Sequence, residues 1–135
     1  MTTEMTTEMT TSKKISENYV VEQTFRDGKY YRMLREVYSD QQLCLEITYI
    51  GKKKHGYLKK WYRSGVPKKH IEYKDGKMDG VFQRWYENGQ MQMYGLCSYG
   101  KRNGTWVYWN KDGTIQNERT WSYTNGKRSG VWKYN

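Results

Sequence analysis

Aliphatic residues are scarce in this chain. The hydrophobic set supplies only 36% of its 135 residues, and 14 Tyr and 6 Trp make up much of that share. A thick core of Leu, Ile and Val is therefore excluded, and a thin, aromatic-rich architecture in a single domain is expected. Cysteine is also rare. Cys44 and Cys97 fall in different sequence repeats, about four strands apart, and at ~4.8 Å per strand they lie beyond disulfide reach. Two free thiols fit a reducing, intracellular setting, cytoplasmic or nuclear. No apolar run approaches the ~20 residues that span a bilayer, and residues 1–24 lack the apolar stretch of a secretory signal. A soluble protein, not exported by that route, is expected.

Catalytic side chains are equally sparse. The two histidines are His55, between Lys54 and Gly56 in an expected turn, and His70, in a strand beside two lysines. Neither has a nucleophile at a recognisable spacing, so no catalytic residues are assigned. Cys44, His55, His70 and Cys97 are separated by 11, 15 and 27 residues, without the close pairs of a zinc site, so no metal ligands are assigned. Gly51-Lys52, Gly76-Lys77, Gly100-Lys101 and Gly126-Lys127 resemble phosphate loops only superficially, since no Ser or Thr follows the lysine and no helix begins there. No cofactor and no small-molecule substrate are implied.

What is present is repetition. YKDGKMDGVFQRWYENG, from Tyr73 to Gly89, returns as IGKKKHGYLKKWYRSG from Ile50, as YGKRNGTWVYWNKDG from Tyr99, and truncated as YTNGKRSGVWKYN at the end of the chain. Gly56, Gly80 and Gly104 are 24 residues apart, as are Gly65, Gly89 and Gly113, and as are Trp61, Trp85 and Trp109. Gly130 follows Gly104 by 26 residues; the two extra residues fall between Gly113 and Tyr123. An even insertion keeps every side chain on its face of a strand. A weakened first unit aligns Phe25 with Tyr49, Leu34 with Leu58, Val37 with Trp61 and Tyr38 with Tyr62. Its second turn, Ser39-Asp40-Gln41, lacks the glycine.

Asp75-Gly76, Asn88-Gly89, Asp112-Gly113 and Asn125-Gly126 tolerate positive φ and separate runs of strand-forming residues. Each unit therefore predicts two strands and two turns. The expected fold is all-β: an elongated single-layer antiparallel β-meander of about four and a half 24-residue hairpin repeats. Residues 25–135 form the repeat domain, in units of about 25–48, 49–72, 73–98, 99–122 and 123–135. Residues 1–24, which open on MTTEMTTEMTTS, are expected to be a disordered or arm-like segment, with Val20 and Val21 able to begin a first strand.

The pattern Gly-Lys-x-x-Gly-x-(Trp or Phe)-x-x-(Trp or Tyr)-(Trp or Tyr)-x-x-(Asn or Asp)-Gly, as in GKMDGVFQRWYENG and GKRNGTWVYWNKDG, resembles the MORN repeat in its variant form. The resemblance covers roughly Phe25 to Asn135. It implies an elongated β-meander used as a scaffold, often dimeric, with some members touching acidic lipids and some bacterial variants labelled antitoxins. The family is common in bacteria and large DNA viruses, so a virus-encoded member would be virion-associated. Its motif is structural and carries no catalytic residues. This chain departs from the pattern in its first unit, in Cys97 at the position of Tyr73, and in its Thr-rich N-terminus.

Two functional surfaces are expected. With 24 Lys and Arg against 14 Asp and Glu, the formal charge is +10, which favours acidic partners. The charge concentrates in a basic patch of Lys52, Lys53, Lys54, Lys59, Lys60, Arg63, Lys68, Lys69 and Lys74, against the single acid Glu72. Lysines also defend open sheets against edge pairing. The aromatic ladder Trp61, Trp85, Trp109, Phe82, Trp106 and Trp132 is expected to stack between equivalent rungs, or in one of its rows to form a groove for a ligand or partner. The terminal edge strand Val131, Trp132, Lys133, Tyr134 and Asn135 is expected to pair with a second copy about a twofold axis. The sequence thus predicts a non-enzymatic scaffold that binds a protein partner or itself, or alternatively a basic surface for nucleic acid or anionic phospholipid.

Overall fold

The computed structural model describes residues 9–131, with side chains described through Ser129. Eleven strands form one antiparallel sheet whose spatial order is the sequence order. They are β1 Met9–Ser16, β2 Tyr19–Arg26, β3 Lys29–Val37, β4 Leu43–Ile50, β5 Lys53–Trp61, β6 Pro67–Lys74, β7 Lys77–Trp85, β8 Met91–Ser98, β9 Lys101–Tyr108, β10 Trp121–Thr124 and β11 Lys127–Val131. This is the expected single-layer meander of hairpins. Every strand pairs only with its neighbours in sequence, so the chain never has to close a long loop.

Two kinds of turn alternate. One edge carries two-residue turns at Asp27-Gly28, Gly51-Lys52, Asp75-Gly76, Tyr99-Gly100 and Asn125-Gly126. In all but the second, both residues have positive φ, the geometry that matches strand twist. The turns after the first dock on the preceding hairpin: the Gly51 N–H donates to the Tyr30 carbonyl, Gly76 to Lys54, Gly100 to Met78 and Gly126 to Arg102. At the other edge the turns from β3 onward are wider, while Glu17-Asn18 is again a two-residue turn. Gly65, Gly89 and Gly113 donate to the carbonyls of Tyr62, Tyr86 and Asn110. Gln41, at φ +69°, takes the glycine's role in the first unit.

One continuous row of cross-strand neighbours carries the core: Val21, Leu34, Ile47, Leu58, Ile71, Phe82 and Gly95. Trp106 and Trp121 continue it across β9 and β10. Ile47, Leu58 and Ile71 are buried, and Trp106 is 1% exposed. Apolar burial in this single layer thus falls mainly on one face, which we call the Leu58 face. It is deepest where Met93, Cys97, Trp106 and Tyr108 cluster against Met78, Phe82 and Tyr123.

The sheet departs from expectation at several places. Met9–Ser16 and Tyr19–Arg26 are strands within the sheet, so the sheet begins before Phe25, with Val20 and Val21 in its second strand. Complete hairpin registers, from Met9 opposite Phe25 onward, draw them in, although β1 is exposed along its whole length. Residues 1–8 of that segment lie outside the described residues. His55 stands within β5, at a register irregularity beside Gly56; the turn is Gly51-Lys52. The two extra residues do not extend a strand. They are absorbed in an isolated Trp109–Ile115 bridge and a 3-10 turn at Asn117–Arg119, after which Trp121 pairs with Trp106 on the expected face. Thr120, fully buried, closes this segment: its Oγ1 donates to the Gln116 carbonyl and accepts from the Tyr108 N–H.

Candidate functional site

The aromatic residues are first of all joints between repeats. The hydroxyls of Tyr38, Tyr62 and Tyr86 donate to the carbonyls of Trp61, Trp85 and Trp109, at 2.8, 2.7 and 2.6 Å. Each tyrosine thus fastens its unit to the next. The indoles of Trp61, Trp85 and Trp109 do not stack on one another. Equivalent positions are two strands apart, about 10 Å at the ordinary strand spacing, so rings there meet only where the strand between them leaves room, as Gly95 does between Phe82 and Trp106. Among the described residues the ladder pair in ring contact is Phe82–Trp106, with centroids 5.2 Å apart. Trp132 lies outside the described residues, as do Lys133, Tyr134 and Asn135; Val131 ends β11.

The basic patch is not one surface. Lys52 occupies a turn, and Lys53 and Lys74 are exposed at the same turn edge. The Lys53 stem lies 3.7 Å from where a Cβ on Gly76 would stand, and Lys77 and Lys101 repeat this at Gly100 and Gly126. Lys54 lies over the Tyr73 ring at 5.2 Å, Lys59 over Tyr57 at 4.5 Å, Arg63 over Tyr38 at 5.4 Å and Lys68 over Tyr62 at 5.3 Å. These cations are held by aromatic faces.

Lys60 and Lys69 differ. They stand directly opposite each other on β5 and β6, and Lys69 stands directly opposite Arg84 on β7. Three half-buried cations therefore lie side by side on the Leu58 face. Burial, then the charges of Arg84, Lys60 and Lys68, hold the Lys69 ammonium below its ordinary pKa. Arg84 was missed by a patch bounded at Lys74. The signal for it is the 24-residue period, which makes Arg84 the equivalent of Lys60.

On the opposite face, Lys59 and His70 are cross-strand neighbours; a groove of about 220 Å³ beside them is lined by Lys59, Trp61, Pro67, His70 and Trp85 and also by Lys60 and Lys69. His70 stacks on Tyr57 with centroids 6.4 Å apart. Burial, then the Lys59 charge, lowers its pKa. Beside it Glu46, nearly buried, accepts from Arg35 Nε at 2.8 Å and from the Tyr57 hydroxyl. Burial alone would raise the Glu46 carboxyl, but the hydrogen bonds from Tyr57 and Arg35 and the charges of Arg35 and Lys59 hold it below its ordinary value. Burial, then the bond to Glu46, pushes Tyr57 up to about 12.

Cys44 and Cys97 are free thiols on β4 and β8. No group of three His, Cys, Asp or Glu able to hold a metal exists among the described residues. No helix there is long and apolar enough to cross a membrane. The family model described as MORN repeat variant matches residues 54–75 and 78–96. No curated protein and no solved structure matches the chain.

Proposed function

We propose, from a chain that belongs among the variant MORN-repeat proteins through its repeats at 54–75 and 78–96, that it is a non-enzymatic scaffold binding protein partners along its sheet. Repeats of this family generally serve protein or membrane-lipid binding and are not catalytic. The observation that carries the reading is the open sheet itself, eleven strands in sequence order. Its periodic Tyr, Trp, Gly and Lys residues are spent on joining repeats, which leaves the non-periodic side chains of both faces to meet a partner.

Self-association belongs to the same reading. Strand β11 has β10 on one side and, among the described residues, no strand on the other, an edge whose backbone donors and acceptors a second copy's β11 would pair with about a twofold axis. Static light scattering on the full chain is expected to give twice the 16.3 kDa chain mass. A monomer at high protein concentration would remove the dimer from the proposal.

The uncompensated row Lys60, Lys69 and Arg84 favours a second reading, a surface for acidic polymers. Binding of single-stranded oligonucleotide and of anionic vesicles across a salt series tests it. Negligible binding at ~50 mM salt, where exposed charges act over distances longer than the ~10 Å Debye length at 0.1 M, counts against it.

A further inference from the structure

The three cations occupy a row that is otherwise largely apolar. Across β3 to β9 the directly opposed residues are Glu36, Leu45, Lys60, Lys69, Arg84, Met93 and Tyr108. By the 24-residue period, Lys69 stands where the neighbouring units have Leu45 and Met93, and Arg84 stands where the next unit has Tyr108. The fold therefore accepts apolar side chains in this row. Like charges directly opposite one another destabilise a sheet, and the packing of the core beneath does not require them.

Other cations on the same face are matched to rings. Arg32 lies over Tyr49, Lys54 over Tyr73, Arg102 over Trp106 and Arg128 over Trp121. Lys60, Lys69 and Arg84 have no ion pair, side-chain hydrogen bond or aromatic face among the described residues. Glu36 is two strands from Lys60, about 10 Å away at the ordinary strand spacing, where salt largely screens it. Three unmatched cations thus span roughly 10 Å across adjacent strands, beside a shallow open groove that Lys60 and Lys69 help to line.

We propose that Lys60, Lys69 and Arg84 form a phosphate-binding rung that takes successive phosphates of a single-stranded nucleic acid laid across β5, β6 and β7. This rests on the second reading above and gives it a location. The openness of the face selects the ligand. One phosphate ester on such a surface is held only by screened contacts. A polyanion gains counterion release at every phosphate it places there, and a single strand is flexible enough to follow adjacent strands of a sheet.

The test uses the full chain and a fluorescent 20-nucleotide oligothymidylate, titrated from ~50 to ~200 mM salt. A variant with Lys60→Gln, Lys69→Gln and Arg84→Gln is compared with one bearing Lys53→Gln, Lys77→Gln and Lys101→Gln, which loses the same charge from the turn edge. The first is expected to bind about tenfold more weakly at ~50 mM salt, with a salt slope shallower by about 2, near 0.7 for each lost single-strand phosphate contact. It is also expected to melt at a higher temperature than the wild type, because the opposed charges are gone. The second should bind nearly as the wild type does.

Equal losses in the two variants overturn the rung while leaving a diffuse basic surface standing. Poly-glutamate binding as tightly as the oligonucleotide, with the same loss on substitution, overturns the nucleic-acid assignment in favour of an acidic protein. Absence of oligonucleotide binding by the wild type removes both the rung and the reading it rests on. A lower melting temperature for the first variant would show that the cations serve the fold and would overturn the argument from uncompensated charge.

Discussion

At Gly95 a single methyl group is too much. A Cβ there would lie 2.1 Å from Cδ2 of the Trp106 indole, whose Nε1 donates to the Leu96 carbonyl at 2.9 Å. The equivalent positions in the preceding units are Ile71 and Ile47, and those of Trp106 are Phe82 and Leu58. A large residue on one strand is thus matched by the loss of its neighbour on the next. Gly95→Ala is expected to destabilise by at least the ~1–3 kcal/mol of core overpacking. Trp106→Leu is expected to cost about 3 kcal/mol through the void it leaves. Gly95→Ile together with Trp106→Leu restores the Ile–Leu pairing of the first units and should recover much of both, with a coupling of about 1–3 kcal/mol in a urea-denaturation double-mutant cycle.

Glu46 and Tyr57 give the residue scale its pH dependence. The Glu46 carboxyl is lowered in the folded state, so its contribution is present above the unfolded value of ~4.3 and is lost as pH falls through the folded value. The Tyr57 phenol is raised from 10.0 to about 12, so its contribution is present below pH 10 and is lost as pH rises toward 12. Stability measured by urea denaturation should therefore fall at both ends, with a plateau between. Glu46→Gln should flatten the acid limb, and Tyr57→Phe the alkaline one. Coincident limbs in variant and wild type would remove the pair from the account.

At the scale of the element, the turns show how far the sequence was legible. The glycine and Trp ladders announced two-strand units, and their spacing was enough for the meander and its order. The division of labour between the two turn edges was not legible, because Asp75-Gly76 and Asn88-Gly89 look alike as dipeptides. Only Asp75 of the two preceding residues takes positive φ. The distinction lies in hydrogen bonds to the neighbouring hairpin, which a single repeat does not contain. For the same reason Arg84 was invisible to a count of nearby lysines and becomes visible only through register.

Tyr99 is a local conflict within this pattern. It sits at φ +52° where the other units have Asp27, Asp75 and Asn125, and it is 77% exposed. Asn tolerates the left-handed region better than an aromatic residue does, so Tyr99→Asn is expected to stabilise by about 0.5–1 kcal/mol, read as a higher melting temperature. The opposite change, Tyr62→Phe, removes the hydroxyl that donates to the Trp85 carbonyl and should cost about 1 kcal/mol.

For the whole molecule, contacts only between neighbours make stability close to a sum of unit and interface contributions. Those contributions are uneven along the sheet. Strand β1 is exposed throughout, whereas β4 to β9 carry Ile47, Leu58, Ile71, Met93, Cys97 and Trp106. Local opening is therefore expected to begin at the N-terminal edge, with amides of residues 9–16 exchanging well before those of β5 to β8 in native-state hydrogen exchange. A chain lacking residues 1–16 should keep its cooperative transition and lose no more than about 4 °C in melting temperature, the shift of roughly 1 kcal/mol in a domain of this size. Uniform protection from β1 to β11, or a collapse of the transition on that deletion, would mean that the N-terminal hairpin caps the array. Strand β1 would then have a stabilising role that its exposed side chains do not explain. Under the additive view, the same experiment should find the deepest protection around Trp106, where Gly95, Phe82 and Met93 meet it, and a decline from there toward both edges of the sheet.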